Sequence, residues 1–170
     1  MDVEITPLGA VGKAKKWTTI FEHPEEWQFG YRTLRTFLPR IGSEWSVAFK
    51  FKPTIYSGPH VLGLDLPNFL QINFDAMSMK FHITRQSCAA VNGKQFVNNL
   101  PKLGEWTLVQ VDQHRVAANR FLFEISIGGI QIHSEILQHC QDCANVRVYS
   151  QEAMLGSAGS IKDMEIITNL

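Results

Sequence analysis

Residues 121–136 constrain the fold more tightly than any other stretch. Phe121, Phe123, Ile125 and Ile127 alternate up to Gly128-Gly129, and Ile130, Ile132 and Ile136 alternate away from it. Period-two alternation gives a strand one apolar face. Gly-Gly suits a two-residue primed turn because both positions can take positive φ. The predicted register sets Ile127 against Ile130, Ile125 against Ile132, and Glu124 against His133 on the other face. A lone hairpin cannot bury such a face, so further strands must cover it.

Those strands are legible elsewhere. Leu70, Ile72 and Phe74 alternate with Gln71 and Asn73, and Met79, Phe81 and Ile83 alternate with Lys80 and His82. A turn at Ala76-Met77 would set Ile72 against Phe81 and Leu70 against Ile83. One face is then wholly apolar and the other wholly polar, and a slip by one residue would scramble both. Trp45–Phe51 is another clean alternation, ended by Pro53, and weaker strands are expected near residues 3–6, 17–21, 61–66, 106–112, 146–149 and 161–168. Residues 22–40, with two prolines and many charges, read as a long loop with one helical turn. About eleven short strands between Gly, Pro and Asn turns call for a sandwich or barrel. No repeat or linker interrupts the 170 residues, so one domain, 1–170, is expected.

Composition narrows the function classes. Sixteen Lys and Arg balance sixteen Asp and Glu, which argues against a nucleic-acid partner. Lys13, Lys15 and Lys16 beside Trp17 read as a solvated strand start. No apolar run reaches the length of a membrane-spanning helix. No phosphate loop, dinucleotide fingerprint or Ser-His-Asp order occurs, so no cofactor is expected. The first residues, Met1-Asp2-Val3-Glu4, do not form a signal peptide, and three cysteines leave the compartment open.

Gly104-Glu105-Trp106-Thr107-Leu108-Val109-Gln110-Val111, followed by the Gly128-Gly129 hairpin, resembles a pattern of concanavalin A-like jelly rolls, including laminin-G-like modules. The tail runs Asn145-Val146-Arg147-Val148-Tyr149, then Gly159-Ser160-Ile161 and Met164-Glu165-Ile166. It is similar to the closing strands of such modules in invertebrate extracellular proteins. The resemblance covers about the last two-fifths of the chain. It implies an all-β jelly-roll sandwich of two antiparallel sheets, with the first and last strands side by side. It further implies an extracellular, non-enzymatic, lectin-like module that binds glycans or a glycoprotein; the other readings are a protein-binding or homo-oligomerising module and a glycan hydrolase. The His, Asn and Arg that galectins carry on one strand are not matched at His60–Asp65.

The sharpest candidate site is the polar face of the first hairpin. Gln71, Asn73, Lys80 and His82 would form a block of donors and acceptors, flanked by Asp65 and Arg85. Sugar hydroxyls require such convergent groups, with an aromatic ring for the apolar sugar face; Tyr56, Trp27 and Tyr31 are the ring candidates. The plainer reading is an ordinary solvated sheet face. Trp45 and Trp106 are expected in the core. Asp163 with Glu165, and Asp2 with Glu4, have the spacing of paired catalytic acids, but lie on the terminal strands and are expected to be solvated, so no catalytic residue is assigned. Cys140 and Cys143 beside His139 have the spacing of two zinc or redox ligands. Without a matching second pair no metal is expected. Cys143 reads as a small buried hydrophobe, and a Cys88–Cys140 disulfide fits an extracellular setting.

Overall fold

The computed structural model describes residues 16–28, 33–54, 61–67, 69–75, 80–85, 93–97, 101–152 and 159–169. These form thirteen strands: β1 Trp17–His23, β2 Trp27–Gln28, β3 Thr33–Ile41, β4 Glu44–Pro53, β5 Val61–Leu66, β6 Leu70–Asp75, β7 Lys80–Arg85, β8 Gly93–Val97, β9 Thr107–Ala117, β10 Arg120–Ile127, β11 Ile130–Gln138, β12 Cys143–Glu152 and β13 Gly159–Asn169. Two antiparallel sheets result, one of seven strands in the order β1-β13-β4-β9-β10-β11 with β2 beside β13, the other of six in the order β3-β12-β5-β6-β7-β8. The all-β sandwich expected from the alternation is what the chain forms. Among the described residues no helix is long and apolar enough to cross a membrane.

The alternating residues fill the space between the sheets. Val47, Phe49, Phe51, Val109, Val111, Phe123, Ile125 and Ile166 from one sheet join Leu38, Leu70, Ile72, Ile83, Val146 and Val148 from the other in one core. Trp45 lies 4.6 Å from the Phe69 ring and 6.2 Å from Phe123, both edge to face. Its expected core position is therefore observed. Aromatic pairs of this geometry add about 0.5–1.5 kcal/mol beyond burial alone.

Three departures from the sequence expectations have identifiable causes. The Gly128-Gly129 turn forms, both glycines at positive φ, and Ile127 meets Ile130, but a bulge follows and Ile125 meets His133 rather than Ile132. The extra residue inverts the face of β11. Beyond Ile132, which stays half-buried against the core, His133, Glu135 and Leu137 are the half-buried positions while Ile130 and Ile136 are exposed. Residues 22–40, expected as a loop, hold β2 and most of β3. In β3 the burial pattern has no period of two, because a register shift interrupts its ladder with β12. Its Pro39 is tolerated because β3 is an edge strand with one neighbour. Finally, β1 is the strand that pairs with β13; residues 3–6, expected there, lie outside the described residues.

The chain crosses from one sheet to the other between Ile41 and Glu44. The Gly42 N–H donates to Thr168 Oγ1 at 2.8 Å, and that hydroxyl donates to the Glu44 carbonyl at 2.8 Å. The Glu44 side chain is buried and accepts from the Arg115 N–H at 2.7 Å and from Asn169 Nδ2 at 2.8 Å. Asp142 accepts from the Ser43 N–H at 2.9 Å and from the Arg40 guanidinium. A Cβ on Gly42 would stand 2.0 Å from the Asn169 carbonyl oxygen, a backbone atom.

Two stability outcomes follow from this geometry. Phe123→Ala is expected to destabilise by about 3–5 kcal/mol, and Glu124→Ala, on the outer face, by under about 1 kcal/mol, in urea melts. Comparable losses would place Phe123 outside the core. Gly42→Ala is expected to lower stability by about 2 kcal/mol or more by forcing the crossing away from the end of β13; a melt within about 0.5 kcal/mol of the native protein would contradict the tight crossing.

Candidate functional site

Alternation along β6 and β7 sends Leu70, Ile72 and Ile83 into the core and leaves Gln71, Asn73, His82 and Thr84 half-buried on the outer face of the six-stranded sheet. The cross-strand pairs are Gln71 with Thr84, Asn73 with His82 and Ile72 with Ile83. This register differs by two residues from the expected one, since the ladder closes at Asp75 with Lys80. Ala76-Met77 offers neither Gly nor Asn for a primed turn, and residues 76–79 lie outside the described residues. A slip of two keeps every side chain on its own face, so the separation of polar from apolar survives.

The pairing extends that face across five strands. One row runs Tyr149, Asp65, Gln71, Thr84, Lys94, and the next runs Gln151, Gly63, Asn73, His82, Phe96. Asp65 thus occupies the position opposite Gln71, and Lys80 the position opposite Asp75. Gly63 is the residue opposite Asn73 on β5, so no side chain stands there. Asn73 Oδ1 is shielded from water and accepts no hydrogen bond. An unmet acceptor of this kind gains from a donor placed against it.

Arg85 does not flank this face. It is next to Thr84 in sequence, so it turns to the opposite side of the sheet and retains 9% of its exposure between the sheets. The ring candidates also change. Tyr31 and Tyr56 lie outside the described residues. Trp27 is buried, its indole N–H donates to His23 Nε2 at 2.9 Å, and the Arg35 guanidinium lies 4.8 Å from its ring centre. Arg35 Nε in turn donates to the buried Ser150 hydroxyl at 2.7 Å. Tyr149 instead supplies an aromatic at the end of the first row, and Phe37, half-exposed opposite Arg147, lies beyond it. The alternation of buried Val146 and Val148 with Arg147 and Tyr149 was the available signal for Tyr149. Nothing in the period of β3 marked Phe37.

The remaining chemistry-bearing residues are placed elsewhere. Trp106, expected in the core, is partly exposed, with the Lys52 and Lys162 ammonium groups 4.5 and 4.4 Å from its ring centre. Beside them the Glu26 carboxyl is held below its ordinary range, first by a hydrogen bond with Ser160 and then by Lys52. Asp163 pairs with Lys50 at 2.9 Å, and Glu165 accepts from Thr19 Oγ1 at 3.2 Å. Both acids are exposed on the seven-stranded sheet, away from the polar rows, while Asp2 and Glu4 lie outside the described residues. Cys140 is free and Cys143 is buried and disulfide-bonded, so Cys143 and not Cys140 carries the bridge. Cys88 lies outside the described residues. Among the described residues no group of three His, Cys, Asp or Glu side chains is arranged to hold a metal ion. Lys16 is exposed, and Lys13 and Lys15 lie outside the described residues.

No protein-family model matches the sequence, and no curated protein sequence does. Solved structures do match. The receptor-binding domain of botulinum neurotoxin type G superposes with a TM-score of 0.59 at 12% identity, over 92% of this chain and 44% of that one. The chain therefore spans less than half the length of that toxin domain. The Caenorhabditis elegans galectin LEC-6 matches with a TM-score of 0.50 at 10% identity, over 85% of this chain and 96% of the galectin. An endo-β-1,4-glucuronan lyase from the fungus Trichoderma reesei matches at 0.53 and 13% identity, over 99% and 94%. At these identities the likeness establishes architecture alone. Strand order, the two-layer core and these superpositions agree that the chain has a concanavalin A-like jelly-roll fold.

Proposed function

We propose that the chain is a non-enzymatic, lectin-like recognition module that binds a glycan or a glycosylated partner on the outer face of the six-stranded sheet. The observation that carries this reading is the pair of polar rows crossing β5–β8, with Gln71, Asn73, His82 and Thr84 at their centre and Tyr149 at one end. Sugars present hydroxyls that need convergent donors and acceptors, and an apolar ring face that stacks on an aromatic side chain. Asp65 and Lys80 belong to the same site by their register positions. The fold neighbours support the same reading, since they include a galectin and botulinum neurotoxin type C, whose cell entry depends on interaction with two ganglioside molecules. The disulfide at Cys143 supports an extracellular setting.

Leu34 and Phe37, each about half exposed on edge strand β3, favour a second reading in which the face docks a protein surface or a second copy of the chain. A glycan array on the purified protein, followed by calorimetry on the best ligand, separates the two. Free sugar displaces the ligand of a lectin and leaves a protein-only contact intact. Gln71→Ala combined with Asn73→Ala is expected to weaken glycan binding at least about tenfold, because each lost partner leaves a buried ligand hydroxyl unmet. The melting temperature should stay close to native. Undiminished affinity in that double variant would remove the site from this face.

A further inference from the structure

Arg85 closes β7 and turns between the sheets, where its guanidinium carbon lies 5.9 Å from the centre of the Phe123 ring. It is nine-tenths buried, and its Nε is shielded from water without a hydrogen-bond partner. None of the ion pairs among the described residues involves it. A guanidinium withdrawn from water without a counter-charge is strongly unfavourable. His133 packs on the same Phe123 ring at 6.2 Å, and its Nε2 faces Glu135 Oε2 at 3.6 Å. The β11 bulge is what turns these two side chains inward. His133 and Glu135 keep about a quarter and a third of their side-chain exposure.

We propose that the Arg85 guanidinium, set against Phe123 at the β7–β10–β11 side of the sandwich interior, binds a small oxyanion. A guanidinium pairs with a carboxylate or a phosphate group through parallel N–H donors, which sets the ligand class. This site is independent of the polar rows, because Arg85 projects from the opposite side of the sheet to Thr84 and His82. Cys140 reports on it. Burial pushes its thiol up while the charge of Arg85 opposes that rise, so the sulfur lies within the field of the guanidinium.

The test is alkylation of Cys140 by anionic iodoacetate and by neutral iodoacetamide, located by peptide mass mapping. The iodoacetate-to-iodoacetamide rate ratio is expected to be about tenfold higher in the folded protein than in the same chain unfolded in urea, since a fixed cation concentrates anions near it. Inorganic phosphate and acetate are added as competitors, and the one that abolishes the excess at lower concentration identifies the preferred group. Arg85→Met should bring the ratio down to the unfolded value, and Arg85→Lys should preserve most of it. An apolar side chain in place of a buried unpaired charge is usually tolerated, and a melt confirms that the Met variant is folded. A folded-state ratio equal to the unfolded one overturns the proposal on the native protein alone. So does an excess that neither competitor nor Arg85→Met reduces.

Discussion

The two-residue crossing at Gly42-Ser43 is the constraint on which the sandwich depends. It joins β3 of one sheet to β4 of the other with no length to spare. The backbone of Gly42 runs so close to Asn169 that no side chain fits. Thr168, Glu44, Asn169 and Asp142 satisfy the polar groups that the crossing buries or exposes. A turn between packed layers is where backbone groups lose their ladder partners, and each unmet one costs about 1–3 kcal/mol. The network draws on β3, β4, β9, β13 and the segment before β12, and so couples both sheets at one point.

With the sheets joined there, the core follows from alternation. The clean period of two in β4, β6, β9 and β10 sends every second residue inward, where Trp45, Phe69 and Phe123 meet edge to face. Where alternation was interrupted, the reading failed. β3 carries a register shift and a proline on an edge, and its exposed Leu34 and Phe37 follow no strand period. β11 begins in phase and leaves it at a bulge two pairs after the Gly-Gly turn. A bulge is set by hydrogen bonding to the neighbouring strand, so the isoleucines of β11 alone do not reveal it.

The candidate face was legible to the same extent. Gln71, Asn73 and His82 share it whether the hairpin register is the expected one or the observed one, because a shift of two preserves parity. Arg85, expected to flank this face, projects from the other one, since one residue beyond Thr84 means the other side of the sheet. Tyr149 joins the face through the β12–β5 ladder, a contact between segments some 84 positions apart. Such pairings arise from jelly-roll topology, which local periodicity does not encode.

The amino-acid sequence by itself determined that this chain is all-β, which residues of its regular strands face inward, and that one hairpin separates polar from apolar side chains. Those properties rest on the two-residue repeat of a strand, which is local. Only the tertiary structure decided which strands are neighbours, where bulges invert a face, that the Cys143 side chain carries the disulfide, and that the charge of Arg85 is enclosed between the sheets beside Phe123. Each of these depends on strands distant in sequence coming into register, and the energy of that meeting is a property of both partners.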